Sequence, residues 1–148
     1  MKNKILPPTY FMIFLLLSAG LHFIFPIKRL IFTPYTYSGT ILIVLGIILN
    51  IWSDQLLKKK KTTVKPFEKP TSLETSGPFK ISRHPMYLGM ASVLLGVSIV
   101  LGSLITFIFP IIFIITAEKM FISVEEKNLE KTFGKKYLDY KNKVRKWI

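Results

Sequence analysis

The run Gly77-Pro78-Phe79-Lys80-Ile81-Ser82-Arg83-His84-Pro85-Met86-Tyr87-Leu88-Gly89 sets a turn, a guanidinium, an imidazole and a phenol against the start of an apolar stretch. Gly77-Pro78 interrupts any preceding regular structure, while Pro85 suits the first turn of a helix, where its missing N–H is not needed. The expected helix therefore opens at Met86, with Arg83 and His84 at its N-terminus. Unpaired N–H groups and a partial positive charge at such an end suit a carboxylate, a phosphate or ribose oxygens. A second set lies downstream. Glu118, Phe121, Ile122, Glu125, Glu126, Leu129 and Phe133 recur at three- and four-residue steps, which puts carboxylates on the apolar face of a helix. The competing reading of those acids is weak surface pairing with Lys127 and Lys131. No thiolate chemistry is available, because the chain has no cysteine. The only other histidine, His22, stands alone in an apolar run, so no metal site is expected.

The elements that must position these groups are membrane elements. The 148 residues have a mean hydropathy of +0.42 and a formal charge of +13, too apolar and too basic for an ordinary soluble domain. A soluble nucleic-acid binder would share the charge but not the long apolar runs, so anionic membrane headgroups are the expected partner and nucleic acid is not. The spacing predicts a single all-α integral membrane domain over residues 1–148. Four transmembrane helices, at about 5–27, 37–57, 86–101 and 104–124, form two hairpins with a long polar loop between them. A basic amphipathic helical tail follows. A signal peptide is the alternative for the first run, with Lys2 and Lys4 before it and Ser18-Ala19-Gly20 near its end. A re-entrant last hairpin is the alternative for the fourth, whose Pro110 should kink it and free a backbone carbonyl for a neighbouring helix to satisfy.

Gly39 and Gly46 would let another helix approach the second span closely. Asn50, Asp54 and Gln55 read as that span surfacing into headgroups, with Asp54 the acid closest to a functional candidate. In the segment 58–83 the lysines Lys58 to Lys61 grip headgroups. The part from Thr62 to Thr71, with its hydroxyls, Phe67, Pro66 and Pro70, reads as a shaped cover. Beyond Gly134, an expected break, Tyr137, Tyr140, Val144 and Trp147 form an apolar stripe among lysines that lies on the headgroups.

Lysine and arginine set the orientation. The N-terminal lead has two, the long loop eight and the segment after Ala117 nine, against two in the first connection and none at Gly102-Ser103. Both termini and the loop are therefore expected in the cytoplasm. That brings Arg83-His84 and the tail to one membrane face.

Gly-Pro-Phe-x-x-x-Arg-His-Pro-Met-Tyr-Leu-Gly, a hairpin, then Glu125-Glu126-x-x-Leu129-x-x-x-Phe133-Gly134-x-x-Tyr137-x-x-Tyr140-x-x-x-Val144 resembles the integral-membrane methyltransferases. That family is typified by isoprenylcysteine carboxyl methyltransferase, with phospholipid methyltransferases as relatives, and the likeness covers roughly residues 50–148. It implies S-adenosylmethionine at the cytosolic mouth, held by the His-Pro-x-Tyr segment and the Glu-Glu helix, and a lipid-borne acceptor entering from the bilayer. On that resemblance His84, Pro85, Tyr87, Leu88, Gly89, Glu125, Glu126 and Tyr137 form the cofactor set. The chain is smaller than the eukaryotic enzymes, so a phospholipid, an isoprenoid or a small hydrophobic thiol or acid would fit as acceptor as well as an isoprenylcysteine; the expected location is the plasma membrane of a prokaryote.

Side-chain chemistry is compatible. Glu125 or Glu126 can accept from a ribose diol or ammonium, the Pro85 end and His84 can meet a carboxylate, and Tyr87 with Leu88 can wall an adenine. Methyl transfer is an in-line displacement, which needs mainly alignment and exclusion of water. Arg83, and secondarily Arg145, would steer an anionic acceptor, while Glu126 would serve as base for an amine. Arg83 as a headgroup-snorkelling side chain is the competing reading. Where relatives often have Pro then Arg after the Val, Arg145-Lys146 stand here, so the role of Arg145 is the least secure. Two rivals remain: a membrane reductase of the sterol-reductase type, using NADPH on Arg83 and the lysines, and a non-catalytic basic membrane protein. No residue pattern specifies an oligomeric state.

Overall fold

The computed structural model describes residues 5–25, 28–63 and 65–148. The basic lead with Lys2 and Lys4, Ile27 at the end of the first expected span, and Val64 in the cover lie outside them. Among the described residues the fold is all-α, with one isolated bridge between Arg29 and Ser103. The helices are α1 Pro7–Ile24, α2 Tyr37–Lys59, α3 Pro85–Leu101, α4 Ile108–Thr116, α5 Ser123–Phe133 and α6 Lys135–Lys143, with a 3-10 turn at Gly77–Lys80.

Three helical stretches are long and apolar enough to cross a membrane: α1, α2 and the continuous Leu104–Phe133. At 17 residues α3 is shorter, about 26 Å at 1.5 Å per residue, against a hydrocarbon core of about 30 Å. The fourth expected span is thus part of a longer helix that continues past residue 124 to Phe133. It begins as a 3-10 turn at Leu104–Phe107 and becomes α-helical at Ile108. Pro110 lies in the first α-helical turn rather than at a mid-helix kink, because its missing N–H is tolerated there. The carbonyl it frees, that of Thr106, accepts a hydrogen bond from Ser98 Oγ of α3 at 2.8 Å, as a neighbouring helix must provide in a membrane. The irregularity in this helix falls instead at Ala117–Ile122, a π-helical turn that offsets the phase of α5 relative to α4.

Helices α2 and α3 meet along glycines. A Cβ on Gly46 would lie 2.6 Å from Gly89 O and 2.8 Å from Val93 Cγ2, and one on Gly89 would run into the Asn50 side chain. Small residues permit this approach, and van der Waals packing then holds the pair where lipid removes the hydrophobic drive. Tyr87, Met90 and Leu94 of α3 pack with Phe113, Ala117, Phe121 and Ile122, and Phe11 and Phe14 of α1 close over them. Tyr87 stacks on Phe121 with centroids 6.4 Å apart. Ile41, Val44, Leu45, Ile48 and Ile51 of α2 stay exposed, the face an integral membrane protein turns to lipid.

The 28–36 connection and the α3–α4 turn share one end of the bundle. Leu30 N–H donates to Gly102 O at 2.7 Å, and Leu104 N–H to Lys28 O at 3.2 Å. Gly102 has φ +67°, a left-handed helix end that suits glycine. The start of α1, the 60–84 segment and the tail gather at the other end, around a cavity.

Candidate functional site

The cavity encloses about 1040 Å³ including its open mouth. One wall is the start of α3 (Arg83, His84, Pro85, Met86, Tyr87, Met90), a second is α5 (Glu125, Asn128, Leu129), and Leu6, Pro7 and Pro8 precede or begin α1. The expected cover contributes Thr62, Thr63, Lys65, Pro66, Glu68 and Pro70, and Leu57, Ser72, Leu73, Glu74, Phe79 and Tyr140 complete the lining. The cover is folded on itself: Thr71 N–H donates to Thr62 Oγ1 at 3.2 Å, Thr63 Oγ1 to Glu68 Oε2 at 2.7 Å, and Lys65 Nζ pairs with Glu68 Oε1 at 2.8 Å. Asn128 Nδ2 donates to Pro66 O at 3.1 Å and pins the cover to α5.

Arg83 has acceptors for four of its five guanidinium N–H donors. Its Nε and Nη2 donate to Glu126 Oε1 at 3.0 and 2.6 Å, and Nη1 donates to Lys141 O at 3.1 Å and Val144 O at 2.8 Å. Its own N–H donates to Arg145 O at 3.0 Å. Ser82 Oγ donates to Lys146 O at 2.9 Å, and the Tyr140 hydroxyl to Phe79 O at 2.6 Å. The tail is therefore not simply an amphipathic helix on headgroups. It folds back and clamps the Arg83 segment, because a guanidinium with five donors needs more acceptors than Glu126 alone supplies.

The His84 ring is 1% exposed. Its Nε2 lies 3.3 Å from Glu126 Oε1, while Nδ1 sits 3.7 Å from Glu125 Oε2, close enough for charge attraction and too long for a hydrogen bond. Burial opposes a charge on this imidazole, but the two carboxylates outweigh it and push its pKa up to about 9. Glu126 is buried at 8% exposure. The Glu125 side chain is one-third exposed and reaches the cavity. The π-helical turn is the local reason both carboxylates face the start of α3, since it resets the helix phase two residues before them.

The structure brings Arg83, His84, Pro85, Tyr87 and Glu125 together in the cavity lining. Glu126 stands behind them in the Arg83 and His84 contacts. Gly89 is in the α2–α3 contact, and Leu88 and Arg145 do not line the cavity. Tyr137 is wholly buried with its hydroxyl unpartnered among the described residues. Burial, with the Glu126 charge, raises the pKa of that phenol. Asp54 pairs with Lys58 at 2.6 Å, in keeping with a surfacing helix end. Sequence reasoning missed Asn128 and Glu74, and it set Tyr140 on the headgroups where the structure turns it into the cavity lining. Asn128 was findable, three residues beyond Glu125 and hence on its face, whereas Glu74 had no pattern around it.

The residues fit S-adenosylmethionine: a partly exposed carboxylate at Glu125, a buried His84 Nδ1 with no hydrogen-bond partner among the described residues, a helix start and apolar walls. No group of three or more His, Cys, Asp or Glu among the described residues could hold a metal ion.

A family model described as phospholipid methyltransferase matches residues 35–136. The solved structure of the eukaryotic intramembrane Ras methyltransferase, isoprenylcysteine carboxyl methyltransferase, superposes with a TM-score of 0.69 at 25% identity, covering 95% of this chain. The chain spans about half of that structure's length, 52%. An uncharacterized protein of Haemophilus influenzae is 40% identical over 63 residues, which are 43% of this chain and the whole of that one.

Proposed function

The chain belongs to the phospholipid methyltransferase family, and from that membership we propose that it transfers a methyl group from S-adenosylmethionine to a membrane-borne or hydrophobic acceptor. The observation that supports this best is one cavity in which the α3 start, His84 with an Nδ1 that makes no hydrogen bond among the described residues, and Glu125 converge beneath a pinned cover. Bound there, the cofactor would supply a sulfonium methyl, whose C–S bond would break as an acceptor carboxylate, amine or thiolate bonds to the methyl carbon and S-adenosylhomocysteine leaves. The chain's residues orient and exclude water. Glu125 accepts from the ribose diol or the ammonium, the α3 N-terminus and protonated His84 hold the carboxylate, and Tyr87 walls the adenine. Leu6, Pro7, Met86 and Met90 offer an apolar wall to the acceptor.

Arg83 and Glu126 serve as positioning residues in this scheme: their pairing fixes His84 and ties the tail to α3. Arg145 contributes its backbone carbonyl to the same tie. Four crossings, with α3 as the short one, and a prokaryotic plasma membrane complete the proposal, with cytoplasmic termini drawn from the distribution of Lys and Arg. An NADPH reductase would need Arg83 or the lysines for a 2′-phosphate, and four of the five Arg83 N–H donors already have acceptors within the chain.

Calorimetric titration of the detergent-purified chain with S-adenosylhomocysteine and with NADPH tests the reading. Micromolar binding of the first, weakened in Glu125→Gln, is expected. Binding of NADPH in its place overturns the proposal in favour of a reductase, and binding of neither favours a non-catalytic membrane protein.

A further inference from the structure

Three acids line the cavity. Glu68 is tied to Lys65 and Thr63, and Glu125 sits beside His84. Glu74 is different. At 7% exposure, its Oε1 accepts from the N–H of Thr75 at 2.9 Å and of Ser76 at 2.7 Å. Its Oε2 is buried with no hydrogen-bond partner, and no described lysine or arginine forms an ion pair with it. Lys60 acts on it only as a charge beyond ion-pair distance, while Lys58 pairs with Asp54 and Lys65 with Glu68. Burial opposes ionisation here, but the bonds from Ser76 and Thr75, with the charge of Lys60, outweigh it and hold the carboxyl below its usual range. An anionic oxygen in a wall shared with Leu57, Leu73 and Phe79 is unfavourable until a cation or donor meets it.

We propose that Glu74 is an ammonium-binding group of this cavity, its Oε2 accepting a charge-assisted hydrogen bond from a cationic nitrogen of a bound ligand. The cavity's role in methyl transfer decides only which nitrogen that is: the ammonium of the methyl donor or an amine on the acceptor. The site itself rests on the geometry of Glu74.

Calorimetry in nonionic detergent compares the intact chain with Glu74→Gln, whose amide oxygen still accepts from Thr75 and Ser76, and with Glu74→Asp, which keeps the charge. The probes are two pairs: S-adenosylhomocysteine with 5′-methylthioadenosine, which lacks the ammonium, and octylammonium with octanol. Glu74→Gln is expected to weaken one ammonium-bearing probe at least about tenfold while its uncharged counterpart changes less than about twofold. Glu74→Asp is expected to retain part of that affinity. A loss confined to S-adenosylhomocysteine assigns the donor's ammonium, and one confined to octylammonium an acceptor amine. Unchanged binding of both charged probes, or equal losses within each pair, overturns the proposal. Should the intact chain bind neither nucleoside yet lose octylammonium in Glu74→Gln, the methyl-transfer reading falls and Glu74 stands.

Discussion

Glu125 and Glu126 are adjacent and chemically identical, yet their surroundings give them different work. Glu126 receives Arg83 at 2.6 Å and His84 at 3.3 Å, so Glu126→Gln leaves the buried Arg83 guanidinium without its counter-charge and His84 with Glu125 alone. Breaking a buried pair in this way costs roughly 3–5 kcal/mol, and thermal unfolding in detergent should show a large drop. Glu125→Gln should change stability by less than about 1 kcal/mol, as for a partly exposed charge, while weakening S-adenosylhomocysteine. Equal destabilisation by both variants would contradict the division. His84 adds a pH signature. Its pKa of about 9 in the fold lies above the ordinary 6.5, so its contribution is complete below pH 6.5 and lost as pH rises through 9. That contribution is at most roughly 3 kcal/mol. Melting temperatures of the wild-type chain should fall across this window, and those of His84→Asn should fall less; parallel curves would contradict the assignment. At this scale the sequence revealed the Arg-His-Pro-x-Tyr and Glu-Glu motifs but not which glutamate faces the cavity. One helical step, 100°, separates the two, and the π-helical turn that settles the phase has no sequence signature.

Among the elements, α2 and α3 depend on backbone contact. Gly46→Val should push them apart, since even a Cβ would stand 2.6 Å from Gly89 O. Overpacking of this kind costs roughly 1–3 kcal/mol, and because α3 begins at the site, cofactor affinity should fall with stability. The check is a melt and a titration on the same variant; an unchanged melt would mean the helices can separate freely. Gly39 and Gly46 were readable as a small-residue face because their spacing matches two helical turns. The partner glycines were not, since Gly89 also belongs to the His-Pro-Met-Tyr-Leu-Gly motif and read as a ligand contact. Pro110 announced a break in hydrogen bonding, but only the 3-10 turn before it placed that break at the helix start. Amphipathicity in the tail pointed to headgroups, whereas Tyr140 and the carbonyls of Lys141 and Val144 turn inward to Phe79 and Arg83. A pattern of apolar and basic residues records that one face is buried without recording against what.

For the whole molecule, hydropathy and charge were enough to identify an all-α membrane protein whose basic segments gather at one end, and the fold does place the start of α1, the cover and the tail around one cavity. The acceptor was not legible, because in-line displacement requires alignment more than it requires any one nucleophile. The central claim is methyl transfer to a lipid-like acceptor. Its most direct measurement is incubation of the chain in proteoliposomes with methyl-labelled S-adenosylmethionine and a total lipid extract, followed by counting label in the organic phase. The account predicts label in lipid with the wild-type chain and a loss of most of it with Glu125→Gln. Label that stays in the aqueous phase, or enters lipid equally with both proteins, would contradict it.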